Sequence, residues 1–277
     1  MLGRTDVDEL LARHGLAARR SLGQNFVADP NTVRAIARRA AVGPGDRVVE
    51  IGPGLGSLTL ALAETGAEVL AVEKDRSLLP VLTEVLAGSS GVCVVQGDAT
   101  TIEWDHLLGV GPWVLVANLP YNVAVPLTLR VLCRAPQVER LVVMVQREVA
   151  DRLCASPGGR TIGVPSIKVA WWASARIAVR VGPEVFVPRP RVESAVVELV
   201  RHPPPSTRIG PRQLFPLVEQ AYRQRRKMLR STLAGSVSAA QFASADVDAT
   251  ARPEQLGLEE WVRLAEVVAL GDRGGAR

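Results

Sequence analysis

The chain has 277 residues, 47% of them hydrophobic, with 33 basic against 28 acidic side chains and a formal charge of +5. That length buries a large core and suggests one full α/β domain with a small addition. No run nears the roughly 18 apolar residues of a membrane span, and the first residues lack the basic-then-apolar design of a secretion signal. Three cysteines, Cys93, Cys133 and Cys154, show neither metal-ligand spacing nor even pairing. They are expected to be reduced core thiols of a cytoplasmic protein. The positive charge permits a polyanionic partner without demanding one.

In chain order, Val7, Leu10 and Leu11 have helical spacing with Gly15 as a stop, so residues 1–20 read as a leading helix. Arg47-Val48-Val49 is a short strand, Glu50-Ile51-Gly52-Pro53-Gly54-Leu55-Gly56 a glycine turn, and Ser57 to Ala63 a helix. Glycines let the backbone turn tightly near a ligand, and a helix N-terminus offers unpaired N–H donors. A second strand, Val69 to Val72, ends in Glu73, whose carboxylate could accept both hydroxyls of an adenosine ribose. Dinucleotide enzymes use an acid there too, so Glu73 does not discriminate. The glycine spacing does: Gly52, Gly54 and Gly56 give G-x-G-x-G, whereas the dinucleotide fingerprint is G-x-G-x-x-G. A third strand, Val92 to Val95, leads to Asp98, placed to take an adenine amino group.

The fourth strand, Val114 to Ala117, ends in Asn118-Leu119-Pro120-Tyr121. This set suits methyl transfer to the exocyclic amine of a base, a poor nucleophile whose lone pair is delocalised into the ring. The Asn118 oxygen, with a neighbouring main-chain carbonyl, would hold the amine protons and aim the lone pair. Pro120 fixes a dihedral and removes a competing donor, and Tyr121 offers a ring face to a flipped-out base. Ordinary turn punctuation at a strand end is the alternative.

Ser194 to Val200 reads as a last strand closing the sheet as the antiparallel member of a late hairpin. His202-Pro203-Pro204-Pro205-Ser206 is a stiff linker, 207–270 a small helical domain, and 271–277 a disordered tail. Arg201 to Arg230 holds eight basic residues and one acid, Glu219. A helix over Leu214 to Leu233 would carry Arg223, Arg225, Arg226, Lys227 and Arg230 as a basic band, either a solvated face or a phosphate-binding one. Arg19-Arg20 and Arg38-Arg39 add charge near the other end. The three histidines, His14, His106 and His202, fall outside every motif.

Taken together, Ser21-Leu22-Gly23-Gln24-Asn25-Phe26, Glu50 to Gly56, Asn118 to Asn122, Gln146 to Leu153, Phe186-Val187-Pro188-Arg189-Pro190-Arg191-Val192-Glu193-Ser194 and Arg225-Arg226-Lys227 carry a resemblance. In this order they resemble the ribosomal RNA adenine N6-dimethyltransferases, on the bacterial small-subunit branch. The resemblance implies an α/β, Rossmann-like class I methyltransferase fold with a mostly parallel seven-stranded sheet over 21–202, plus the C-terminal helical domain. It implies S-adenosylmethionine as donor, S-adenosylhomocysteine as product, and no metal. Donor contacts carry over to Asn25, Val27, Gly52, Gly54, Glu73, Asp98, Ala99 and Asn118, with Val27 where the family usually has Leu. Asn118, Leu119, Pro120, Tyr121 and Phe186 carry over as the catalytic group, Tyr121 and Phe186 sandwiching the adenine. The basic band becomes an RNA contact. The implied partner is the small ribosomal subunit precursor with its 16S RNA, bound by a monomer. The claim of two methyls on each of two adjacent adenosines rests on the resemblance alone.

Departures occur at Ala124, where the family often has Ser, and around Ile162 and Pro165, where it has a Tyr-Gly-Arg-Leu-Ser type of run expected near the RNA. Other classes remain open at this stage. An NAD-dependent oxidoreductase leaves Asn118 to Tyr121 without a role, and a DNA adenine methyltransferase would share the strand-end chemistry. A large-subunit RNA methyltransferase conferring antibiotic resistance shares the donor motifs, and an assembly factor could act mainly by binding.

Overall fold

Strands such as Val69 to Val72 and Val114 to Ala117 are apolar on both faces, as a parallel sheet covered by helices on each side requires. In the computed structural model, residues 1–274 are described. The expected tail at 275–277 and the side chain of Arg20 lie outside the described residues. The chain runs α1 (Arg4–Arg13), β1 (Phe26–Val27), α2 (Pro30–Ala40), β2 (Arg47–Ile51), α3 (Ser57–Ala63), β3 (Glu68–Glu73), α4 (Leu79–Leu86), β4 (Val92–Gln96) and α5 (Trp104–Leu108). It continues β5 (Trp113–Asn118), α6 (Ala124–Arg134), β6 (Val138–Gln146), α7 (Arg147–Leu153), α8 (Val164–Trp172), β7 (Ala173–Val181), β8 (Phe186–Val187) and β9 (Ser194–Arg201). The helices α9 (Pro211–Tyr222), α10 (Leu229–Thr232), α11 (Ala239–Ser244) and α12 (Leu258–Gly274) follow.

The main sheet has seven strands in the order β4-β3-β2-β5-β6-β9-β7. The pairs β3–β4, β2–β3, β2–β5 and β5–β6 are parallel, and β6–β9 is antiparallel. Its order reverses between β2 and β5, so the first and fourth parallel strands of the sequence lie side by side and a crevice opens past their carboxyl ends. A second, two-stranded sheet pairs β1 with β8 antiparallel, Phe26 opposite Val187 and Val27 opposite Phe186.

Two compact units result, one of Met1–Ala150 and Ala175–Arg201, the other of Asp151–Ser174 and the chain from His202 on. In the first, α2 shows how sequence sets an element. Pro30 opens it, the Asp29 side chain accepts the Thr32 N–H at 2.8 Å, and Val33, Ile36, Ala37 and Ala40 bury one stripe. In the second, α9 buries Leu214, Leu217, Val218 and Ala221 on the same spacing against Ile162, Ile167, Trp171 and Trp261. No helix of the described residues is long and apolar enough to cross a membrane.

Several expectations change. The strand from Ser194 is antiparallel as expected but does not take the edge: β9 lies between β6 and β7, and β7 closes the sheet. Helical character begins in the second unit at Asp151, well before 207, because Ile162, Ile167 and Trp171 supply part of that unit's core. The leading helix is α1 alone, and Val7 and Leu10 pack with Phe26, Leu55 and Leu78 of the first unit. The helix expected over Leu214 to Leu233 ends at Tyr222 and resumes as α10. An unbroken helix would stack Arg223 with Arg226 and Lys227, and Arg226 with Arg230, as like charges on one face. Cys93 and Cys133 are exposed and Cys154 half-buried, so the thiols are free but not core; β4 is an edge strand, and Cys133 lies on the outer face of α6. The tail expected to be disordered from 271 continues α12 as far as Gly274, following Val267 and Val268 packed on the core.

The departures at 162 and 165 are structural. Ile162 is buried in the second unit's core, and Pro165 falls in the first turn of α8, where its missing N–H has no helical partner to lose. Ala124 opens α6 fully buried.

Candidate active site

The crevice at the sheet's switch point is lined by Asn25 and Val27 from the entry segment, Glu50 in β2 and Gly52 just after it, Glu73 at the end of β3 and Asp98 after β4. Ala99, Asn118, Leu119, Pro120 and Tyr121 complete the wall. Gly54 and Phe186 are absent from that lining. The whole crevice is built within the first unit.

The glycine turn is held by backbone. The Gly52 N–H donates to the Val72 carbonyl at 2.9 Å, and the Gly54 N–H donates to Glu73 Oε2 at 3.1 Å. Gly54 has φ +61°, and a Cβ there would stand 3.0 Å from the Phe26 ring, so both conformation and space require glycine. Glu73 is buried, and its Oε1 also accepts the Asp75 N–H at 2.7 Å. Burial raises its carboxyl above the ordinary value, the backbone donors from Asp75, Gly54 and Lys74 pull it back, and the Asp75 charge adds to the rise. A carboxylate has about four lone-pair positions, so with these donors in place Glu73 keeps acceptor capacity for a ligand hydroxyl.

Asp98 is the electrostatic opposite. Burial works against its charge, but the Lys74 ammonium at 2.8 Å and the Thr100 hydroxyl and N–H outweigh that, holding the carboxyl at about 2. Lys74 is largely exposed.

Asn118 donates its Nδ2 to the Asn25 carbonyl at 3.0 Å. A carbonyl accepts only, so this bond fixes the amide's orientation and leaves Oδ1 as the acceptor in the crevice. The Leu119 N–H is tied to the Met144 carbonyl at 3.0 Å and the Pro120 carbonyl to the Val123 N–H at 3.1 Å, which stiffens the turn. Tyr121 is half-buried, and its hydroxyl bonds the buried Ser194 Oγ at 2.9 Å, which fixes the ring.

Phe186 corrects the expected aromatic pair. It is 0% exposed, paired in register with Val27 and packed among Ile36, Val181 and Val196, so its ring is core and offers no stacking face. Tyr121 alone of the two presents a ring to the crevice.

Residues that sequence reasoning did not assign also converge here. Glu50 is 1% exposed, and its Oε2 and Ser57 Oγ are buried without a hydrogen-bond partner. Burial pushes the Glu50 carboxyl up to about 8; the Thr59 hydroxyl offsets part of the rise and the Glu73 charge adds to it. Gln24 and Arg19 reach Asp75 at 2.8 and 3.2 Å, tying the entry segment to the end of β3. Only the motif membership of Glu50 hinted at this ring; nothing in the sequence pattern separates Lys74 or Asp75 from ordinary surface charges.

The basic residues belong to the second unit, on the turn after α9. Arg223, Arg226, Lys227 and Arg230 are exposed. Arg225 is committed, its Nε to Glu254 at 2.6 Å and its Nη2 to the Arg160 carbonyl at 2.9 Å.

Comparison with known proteins gives a consistent result. The family model described as ribosomal RNA adenine dimethylase matches residues 15–270. A "Ribosomal RNA small subunit methyltransferase A" of Kineococcus radiotolerans is 49% identical over 272 residues, 96% of this chain and 91% of that protein. The protein of the same name from Acidothermus cellulolyticus is 47% identical, over 96% of this chain and 94% of its own. Among solved structures, the 23S rRNA methyltransferase ErmE aligns with TM-score 0.70 at 25% identity, over 88% of this chain and all of that one (100%). A dimethyladenosine transferase from Plasmodium falciparum gives TM-score 0.75 at 21% identity, over 89% of this chain and 97% of its own, a likeness of fold.

Proposed function

Because the chain belongs to the ribosomal RNA adenine dimethylase family, we propose that its crevice binds S-adenosylmethionine and transfers methyl groups to N6 of two adjacent adenosines near the 3′ end of 16S ribosomal RNA, in the small-subunit precursor. The protein acts as a monomer in the cytoplasm. The higher identity to small-subunit enzymes than to ErmE supports the small over the large subunit as target.

The residues present fit the donor. Glu73 keeps acceptor capacity for a ribose hydroxyl, Asp98 is an ionised acceptor for an adenine amine, and Val27 and Ala99 give apolar walls. The unpartnered Glu50 and Ser57 oxygens add polar capacity where a positively charged ligand part would lie. When bound, the donor supplies a methyl group made electrophilic by its sulfonium.

The protein's own contribution is orientation. Asn118 Oδ1 and the Leu119 carbonyl accept hydrogen bonds from the N6 amine, two in the first transfer and one in the second, which aims the nitrogen lone pair at the methyl carbon. With the donor bound, the amine held in this way would receive the methyl carbon as the donor's methyl–sulfur bond is given up, and N6 would lose its proton to solvent. Tyr121, braced by Ser194, stacks on the flipped base. No strong base is required, because alignment of this kind is worth several kcal/mol of a barrier. Orientation of Asn118 by the Asn25 carbonyl is the observation that carries the reading. Asn118→Ala is expected to keep RNA binding and lose methylation; equal loss of both would count against Asn118 acting in the chemistry.

A further inference from the structure

The stretch 188–193 between β8 and β9 has no role in the donor site, yet it is mounted beside it. Before it, β8 pairs with β1, whose Phe26 and Val27 line the crevice, and Arg4 Nη2 holds the Glu184 carbonyl at 2.8 Å. After it, buried Ser194 holds the Tyr121 hydroxyl, and the Arg147 N–H donates to the Glu193 carbonyl at 3.0 Å. The Arg147 guanidinium takes the Glu193 carboxylate at 2.7 Å. Between these anchors the sequence is Pro188-Arg189-Pro190-Arg191-Val192, and its two prolines restrict the backbone.

This short span carries two arginines and no acid. Both arginines are exposed, and neither has a charged partner among the described residues; the one nearby acid in sequence, Glu193, is already paired. Val192 beside them is 45% exposed, a branched apolar side chain left facing solvent. An extended backbone spans at most ~3.6 Å per residue, so Arg191 lies within about 11 Å of Ser194, measured between Cα atoms, and Arg189 is only two residues from Val187. The backbone that carries the two arginines is therefore tethered, through Val187 and Ser194, to the strands beside the crevice.

We propose that this loop is a phosphate clamp for single-stranded RNA, with Arg189 and Arg191 binding phosphodiesters that flank the nucleoside entering the Asn118 crevice. The inference rests on the RNA substrate assigned above and adds a contact surface to it. A guanidinium suits phosphate through its planar fork of donors, and the Val192 side chain packs against a neighbouring sugar or base. Clamping both sides of one nucleotide favours its extrusion from a stack, which costs a few kcal/mol.

The test uses the full-length protein, undermethylated small ribosomal subunits, and binding measured across a potassium chloride series. Single-strand phosphate contacts change the slope of log K against log salt by about 0.7 each, so the double variant R189A/R191A should lower its magnitude by about 1.4. R189K/R191K should restore the slope, since it restores the charge. Donor affinity measured by calorimetry without RNA should be the same in all three proteins. An unchanged slope in R189A/R191A overturns the clamp, and so does a matching loss of donor affinity, which would place the arginines in the crevice's own architecture. If the wild-type protein neither binds nor methylates small subunits, the substrate assignment itself fails; if it does both and only the slope is unmoved, the clamp alone fails.

Discussion

Replacing Glu50 with glutamine should make the ligand-free protein more stable at alkaline pH. The carboxyl is 1% exposed, has an oxygen without a partner, and is raised from 4.5 to about 8. A group whose folded value lies above its unfolded one binds more protons in the native state, so its favourable contribution is complete below 4.5 and is lost as pH climbs to about 8. At ~1.4 kcal/mol per decade of proton affinity, the two decades between pH 6 and 8 correspond to about 3 kcal/mol. Glu50→Gln keeps the shape and removes the titration. Urea unfolding of both proteins from pH 6 to 9 should therefore show the variant gaining about 3 kcal/mol on the wild type, against a typical total of ~5–15 kcal/mol. In thermal melts the same gap corresponds to roughly 6–12 °C. Parallel profiles for the two proteins would refute the reasoning and mean that Glu50 is ionised and solvated in the native state.

Phe186→Ala should cost about 3–5 kcal/mol of folding stability, because a fully buried ring is removed from a packed core. Unchanged stability with impaired methylation would instead restore Phe186 to a stacking role. Asp98→Asn should weaken S-adenosylmethionine binding about 10- to 100-fold by calorimetry, the worth of a hydrogen bond to a charged group. The same variant should unfold less steeply in acid, since the Asp98 contribution is present above pH 3.8 and disappears as pH falls toward about 2.

How much of this was legible in the sequence follows the range of each interaction. The strands ending at Ile51, Glu73, Gln96 and Asn118 are largely apolar on both faces and bounded by glycine or polar residues, so their positions could be read from short windows. Their strand-end residues meet at the crevice because parallel βαβ units bring carboxyl ends to one edge. Strand order is non-local: nothing within Ser194 to Arg201 shows that it pairs with β6 while β7 takes the edge. The second unit's recruitment of Asp151–Ser174 is hidden for the same reason, since Ile162 and Trp171 are core residues of whichever unit they meet. Phe186 shows the limit for single side chains. Its motif is plain, but whether the ring faces a ligand or the core depends on the β1–β8 pairing, formed between residues about 160 apart in sequence. The basic run was visible as charge, whereas the capture of Arg225 by Glu254 is a tertiary pairing that helical periodicity does not encode.

The most direct measurement incubates the purified protein and labelled S-adenosylmethionine with undermethylated small subunits, large-subunit RNA and duplex DNA in parallel, then identifies the labelled nucleoside. The account predicts N6,N6-dimethyladenosine from the small subunit alone. Label in large-subunit RNA or in DNA, or none in a small subunit that a known dimethylase can modify, would contradict it.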